Sequence, residues 1–392
     1  MSFGKVGFCI LLAAIAAMLF ASAATADVIQ PSADCAACHE TQYEEWDASP
    51  HAGSMRNPFY LAMLNKYIED TEDKEGEYCQ QCHAPVKFLA EEPNEALIDE
   101  GVNCSVCHSV KDVTSTTGII PFVLGDGQTQ YGSDRPGKKP DETAHPVELT
   151  RIQQRGTYCS GCHNQQHVYD SELMVMNTWN EWKALARFSR NFIYCNQCHM
   201  EAETDRVDNP RSALGGVELR FKDPSKSKHT ISHLISSGTD AEKMKGSTRM
   251  SLDATSQYNE IDFHVEVEAA DVGHTLPSGF YLNELYYIVE ALDQSGNVLF
   301  EDTQHFRKVL GDDDDNPVWY DWQATQILED TRIPADDTKV SNDYGFLYRK
   351  PYGTVTITAR LYYAKMPQGL AEELGLVYEP ELLHEREWTY TP

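Results

Sequence analysis

The chain has 392 residues, 41% hydrophobic and 24% charged, which is length enough for two domains. Its formal net charge is −29 at pH 7. Such acidity argues against nucleic acid or anionic lipid as a partner, and suits a basic protein partner or a soluble exported surface.

At the N-terminus, Lys5 precedes an apolar run from Phe8 to Phe20, followed by Ala21-Ser-Ala23 and Ala24-Thr-Ala26. A charged start, a short apolar stretch and small residues at a cleavage site predict a signal peptide over residues 1–26. Cleavage is expected after Ala26, with Ala23 as the alternative, and export to the periplasm or the cell surface follows. No later segment is apolar enough to span a bilayer.

Residues 27–250 carry one five-residue word five times. The copies are Cys35-Ala-Ala-Cys38-His39, Cys79-Gln-Gln-Cys82-His83, Cys104-Ser-Val-Cys107-His108, Cys159-Ser-Gly-Cys162-His163 and Cys195-Asn-Gln-Cys198-His199. Cys-x-x-Cys-His is the attachment site of haem c: two thiols form thioethers with the porphyrin, and the adjacent His supplies the proximal nitrogen. Ten of the eleven cysteines lie in these words, and the other is Cys9. Zinc knuckles come in pairs and need no adjacent His. A disulfide framework is compatible with export but gives no reason for that His either. Five covalent haems c are therefore expected.

Between the words, Asn57-Pro58 reads as an N-cap followed by proline at the first helical position. It opens a helix through Tyr60, Met63, Leu64, Tyr67 and Ile68. A second helix is expected from Ser171 to about Ser189, with Trp179, Trp182, Leu185 and Phe188 at helical spacing. The Gly-, Pro- and Thr-rich segment from Thr114 to Pro140 reads as a surface excursion. Five porphyrins in so short a region must form much of its core.

From about Ser251 to Pro392 the pattern changes to period two. Phe263, Val265, Val267 and Ala269 share one face; Leu285–Leu292 and Val298–Phe300 flank the turn Asp293–Asn297; Thr354–Tyr363 alternates again. The expected architecture is a helix-and-loop multihaem domain, 27–250, followed by an antiparallel β-sandwich domain, 251–392. Asp312-Asp-Asp-Asp315 lacks the spacing of a calcium loop and reads as a solvated turn.

Each haem iron has a sixth position, and nine histidines lie outside the words: His51, His145, His167, His229, His233, His264, His274, His305 and His384. Local context favours His51, His145, His167, His233 and His274 as distal metal ligands. His229 and His233 are four apart, so one of the two is used. His264 lies on the polar face of its strand, and His305 and His384 have no special context.

The phrase Trp46-x-x-Ser49-x-His51-Ala52 after the first word resembles multihaem cytochromes of the cytochrome c-554 type. Gly273-His-x-x-Pro-Ser-Gly279, with the β segment that follows, resembles the C-terminal β domain of such exported cytochromes. The resemblance implies closely stacked, mostly bis-histidine haems that pass electrons along the chain, with His51 and His274 as distal ligands. Expected partners are redox proteins. Two alternatives stand beside the electron carrier. One is an oxidoreductase of the nitrite or hydroxylamine type with one open iron, although the Cys-x-x-Cys-Lys word of pentahaem nitrite reductases is missing. The other is a subunit that self-assembles through haem contacts into an extracellular filament.

Overall fold

The structure, a computed structural model, describes residues 28–115, 120–132, 145–165, 173–186, 194–200, 206–208, 217–219, 232–235, 241–335 and 338–392. The signal-peptide reading and Cys9, His167 and His229 fall outside them.

The first part is a set of short helices and loops. Helix Pro58–Asp70 forms where expected: the Asn57 side chain accepts from the Phe59 and Tyr60 N–H groups, and Pro58 loses no hydrogen bond at the first position. It buries Tyr60, Met63, Leu64 and Tyr67. The helix expected from Ser171 begins only at Thr178 and is described to Ala186. Upstream, Leu173 and Val175 are buried two residues apart while Met174 is not. That period-two burial, against Tyr281, Leu282 and Leu310 of the β region, holds residues 173–175 out of the helix.

The segment Thr114–Pro140 is also more than an excursion in its described part. Phe122–Leu124 pairs antiparallel with Val110–Val113, and Gln130–Gly132 pairs parallel with Val147–Leu149. Tyr131, only 3% exposed, anchors it.

The C-terminal part is built on seven long strands: β1 Thr248–Gln257, β2 Glu260–Ala269, β3 Glu284–Leu292, β4 Val298–Phe306, β5 Lys339–Leu347, β6 Val355–Ala364 and β7 Glu381–Tyr390. They form two antiparallel sheets, ordered β5-β2-β1 and β4-β3-β6-β7. The inner faces meet in one core: Ile261, Phe263, Val265 and Val267 from the first sheet, and Leu285, Tyr287, Val289, Ile357, Ala359 and Leu361 from the second. Each fully buried Ile or Leu stabilises by about 1.5–3 kcal/mol relative to exposure.

A smaller apolar cluster joins the two parts. Met63, Leu173 and Val175 meet Tyr281, Leu282, Leu310, Tyr320, Met366 and Leu370. The buried Tyr78 hydroxyl also donates to Asp321 Oδ2 at 3.1 Å across this junction.

Candidate haem centres

Four of the five words lie on one turn of α-helix at least in part, and the fourth lies on the 3-10 turn Thr157–Gly161. A helical turn brings cysteines three residues apart to one face, which suits two bonds to one porphyrin edge. The third word shows how its helix is started: Asn103, 1% exposed, accepts from Val106 N–H and donates to Gln30 O and Glu100 Oε2. None of the ten word cysteines is in a disulfide. Cys38, His39 and His163 are exposed, whereas the remaining cysteines and histidines of the words are half-buried.

The words touch one another. The thiols of Cys35 and Cys104 are near neighbours, as are those of Cys82 and Cys162, and of Cys159 and Cys195. Cys107 faces Cys162 closely enough to feel its charge, and burial pushes the Cys107 thiol up to about 12. Gln153 Nε2 donates to Cys107 O, and Gln153 O accepts from Asn196 Nδ2. Word one therefore adjoins word three, and word three adjoins word four. Word four also adjoins words two and five.

Among the described residues the imidazoles form four pairs. Ring centres are 6.2 Å apart for His39 and His145, 6.3 Å for His51 and His163, 6.3 Å for His108 and His233, and 6.2 Å for His199 and His274. Stacked rings approach much closer, as Tyr60 and His83 do at 4.0 Å. Two imidazoles bound end-on to opposite sides of one metal, at metal–nitrogen bonds of about 2 Å, place their ring centres about 6 Å apart. The interplanar angles range from 9° to 69°. A constant separation with variable angle fits rings held apart by an intervening ion, so the residues present suit haem iron.

In three of the four pairs one imidazole has its other ring nitrogen held where ligation needs it held. Nδ1 of His108 lies 2.9 Å from Tyr131 O, that of His274 3.1 Å from Thr275 O, and that of His145 3.3 Å from Pro146 O. An Nδ1–H donated to a carbonyl leaves Nε2 as the free lone pair. His233 is held from its backbone, whose N–H donates to Glu45 Oε2. Burial, reinforced by neighbouring histidines, pushes His51 down to about 4, and burial pushes His83 to a similar value. Burial likewise lowers His108, and desolvation lowers His163 although part of that residue faces solvent. These imidazoles are neutral at pH 7, the form that binds metal.

His51 depends on a backbone arrangement that sequence patterning gave no sign of. Gly101 has φ +65°, and its Cα lies so near this loop that an added Cβ would fall 2.7 Å from His51 O and 2.1 Å from Ser54 Oγ. Val102 N–H donates to that same His51 carbonyl.

Among the described residues no histidine ring faces His83 at the common separation. His264, His305 and His384 are engaged elsewhere, with Asp343, Glu284 and Thr248. No group of three or more His, Cys, Asp or Glu converges as for a bare metal ion among the described residues. Asp312 closes its turn by accepting from the Asp314 and Asn316 N–H groups.

This is the architecture of a multihaem c-type cytochrome. Residues 34–109, which hold the first three words and His51, match the family described as cytochrome c554 and c-prime. The crystal structure of a penta-heme cytochrome c552 from Thermochromatium tepidum superposes with a TM-score of 0.72, covering 93% of this chain and 100% of that one at 21% identity. At that identity the likeness speaks for the fold. A putative beta-galactosidase from Bacteroides fragilis aligns with 38% of this chain and 16% of its own at 10% identity, but a TM-score of 0.19 carries no argument. No curated protein matches the chain by sequence. No helix among the described residues is long and apolar enough to cross a membrane.

Proposed function

We propose that the protein is an exported pentahaem c-type cytochrome that carries electrons along closely packed, mostly bis-histidine haems. Haem c supplies a one-electron iron couple at each word. The ten word cysteines would hold five such groups, with His39, His83, His108, His163 and His199 as proximal ligands. His145, His233, His51 and His274 would be distal, opposite His39, His108, His163 and His199. The observation that carries this reading is one ring separation, 6.2–6.3 Å, repeated in four pairs drawn from unrelated stretches of chain.

The chain's own groups then do three things. Tyr131 O, Thr275 O and Pro146 O orient imidazoles. Burial keeps His51, His83 and His108 neutral. Contact between words keeps neighbouring redox groups close, while the acidic surface suits a basic redox partner. For the second word, His167 and His229 are the remaining candidates.

The test is a pyridine haemochrome assay, intact mass and ferric electron paramagnetic resonance on the secreted protein. Five haems, a chain starting at Asp27 and predominantly low-spin iron are expected. Fewer haems, or mostly high-spin iron, would overturn the assignment.

A second reading keeps one open iron, at the second word, and makes the protein an oxidoreductase. It is favoured by the stacking of Tyr60 on His83 where the other words have a histidine pair. Nitrite or cyanide added to the ferric protein separates the two readings. A spectral change complete on mixing in about one fifth of the haem supports the open site, and the absence of any such immediate change removes it.

A further inference from the structure

We propose that Glu181 is a positioning residue for His274, acting through a buried set of charges and hydroxyls that fixes the His274 loop on the same helix that abuts the fifth haem word. The proposal rests on the reading of His274 as a distal ligand.

Helix Thr178–Ala186 lies against the chain beside each partner of the His199–His274 pair. On one side the Trp182 ring lies 6.2 Å from that of Tyr194, the residue before Cys195. On the other, a Cβ added to Gly273 would stand 3.3 Å from Trp182 Cδ1, so the chain just before His274 lies against the indole. The residues after His274 are tied to the same helix. Ser278 Oγ donates to Glu181 Oε2 at 2.7 Å and lies 2.8 Å from Thr178 Oγ1, which accepts from Gly279 N–H at 3.0 Å.

Arg332 completes the clamp. Its Nη1 lies 2.9 Å from Glu181 Oε1, with both side chains nearly buried at 9% and 8% exposure. The contact is ionic and lacks aligned hydrogen-bond geometry, since Glu181 Oε1 has no hydrogen-bond partner. Arg332 also donates to both Asp330 oxygens at 2.7 Å and reaches Pro277 O at 3.4 Å. Next to it, Leu276 and Ile333 exchange two backbone hydrogen bonds. Residues 276–279 are therefore gripped from the sheet side by Arg332 and Ile333, and from the helix side by Glu181 and Thr178. Glu181 is the group common to both grips. A buried carboxylate that meets a guanidinium and a hydroxyl at once is costly to misplace, because moving it leaves Arg332 uncompensated in a low-dielectric site.

A loop held this way keeps its imidazole from swinging out and back. Loosening it should raise the rate at which an external ligand replaces that imidazole without touching the other irons. The experiment uses the full haem-loaded ferric protein, with cyanide as the probe, and compares wild type with Glu181→Gln and Thr178→Val. In Glu181→Gln, cyanide binding to about one fifth of the haem should be at least about tenfold faster, a factor worth about 1.4 kcal/mol. One component of the redox titration should move to higher potential while the rest stay in place. Thr178→Val should shift the same component by less, and it decides the matter if Glu181→Gln does not accumulate as folded protein. Lower thermal stability with unchanged cyanide kinetics and unchanged potentials overturns the proposal and leaves Glu181 as a joint between the two parts. His274→Ala separates the two layers of inference. If it leaves every haem low-spin, the ligation reading fails; if it frees about one fifth of the haem while both other variants behave as wild type, only the positioning role fails.

Discussion

Strand β6 buries Val355, Ile357, Ala359 and Leu361 completely and Tyr363 to 4%, every one against other apolar side chains. The helix Cys104–His108 buries Ser105 and Val106, leaves its cysteines half-exposed, and spends its polar groups on caps and backbone carbonyls. The apolar cluster beneath it is small: Ile29, Val86, Leu97 and Val106. The β region closes its own core from chain atoms. Among its described residues the word region surrounds its histidine pairs with few such contacts, so its stability is expected to come from the covalently bound porphyrins. The two parts should thus fail under different insults.

The largest effect is expected from withholding haem. Produced in the cytoplasm, residues 27–250 should give no cooperative thermal transition, whereas residues 251–392 should melt cooperatively with strand-rich circular dichroism. β1 begins at Thr248, so a fragment from residue 241 is the stricter version of the second half of this test. A cooperative haem-free word region would erase the contrast.

Next is a wound confined to the β core. Leu361→Ala removes a fully buried side chain between the two sheets and should cost about 2–5 kcal/mol. Urea unfolding followed by far-ultraviolet dichroism should show the loss. The haem absorbance of the native protein should stay as in wild type, since Leu361 belongs to the core of the sheets.

Gly101→Ala makes the converse wound. At φ +65° a Cβ is strained by about 1 kcal/mol or more, and it would also press on His51 O and Ser54 Oγ. A total of about 2 kcal/mol is expected, with the spectral change falling on the haem that we assign to His51 and His163. Variable-temperature magnetic circular dichroism should reveal that one component. A stable variant with all haems unchanged would show that this carbonyl contact has slack.

How much of this was legible in the chain follows the same division. Words repeated at fixed internal spacing are one-dimensional signals, and so is the alternation of Phe263, Val265, Val267 and Ala269, all of which face the core. The cap at Asn57 could also be read, because its partners are two and three residues away. Pairings such as His39 with His145 or His108 with His233 span loops of arbitrary length and leave no periodic trace. Gly101, Tyr131 and Glu181 act through a backbone angle, a carbonyl and a single buried carboxylate. None of these differs in sequence from an ordinary glycine, tyrosine or surface acid. The late start of helix Thr178–Ala186 was hidden likewise, since Leu173 and Val175 suit a strand only once Tyr281 and Leu282 are seen beside them.

The smallest effect tests the seam between the two parts by pH. Lys308, 6% exposed, sends its ammonium to Val175 O at 3.0 Å and Met174 O at 3.3 Å. Burial, with the positive charge of Arg332 behind it, pushes this lysine down to about 8, while Asp330 and Glu181 pull the other way. In the unfolded chain the same group stays protonated to about 10.4. Between these values the unfolded state binds more protons than the folded one, so this group's contribution to stability rises with pH. The penalty of a buried ammonium is fully present below pH 8 and is relieved above it. Relative to Lys308→Met, which has no such proton, wild type should therefore gain about 1.3 kcal/mol between pH 7 and pH 9. Any constant loss from the two unpaired carbonyls in the variant cancels in that difference. Urea midpoints for both proteins at the two pH values measure it. Parallel midpoints would place the Lys308 ammonium in contact with water, and the seam between word region and sheets would be looser than the Met174 and Val175 contacts imply.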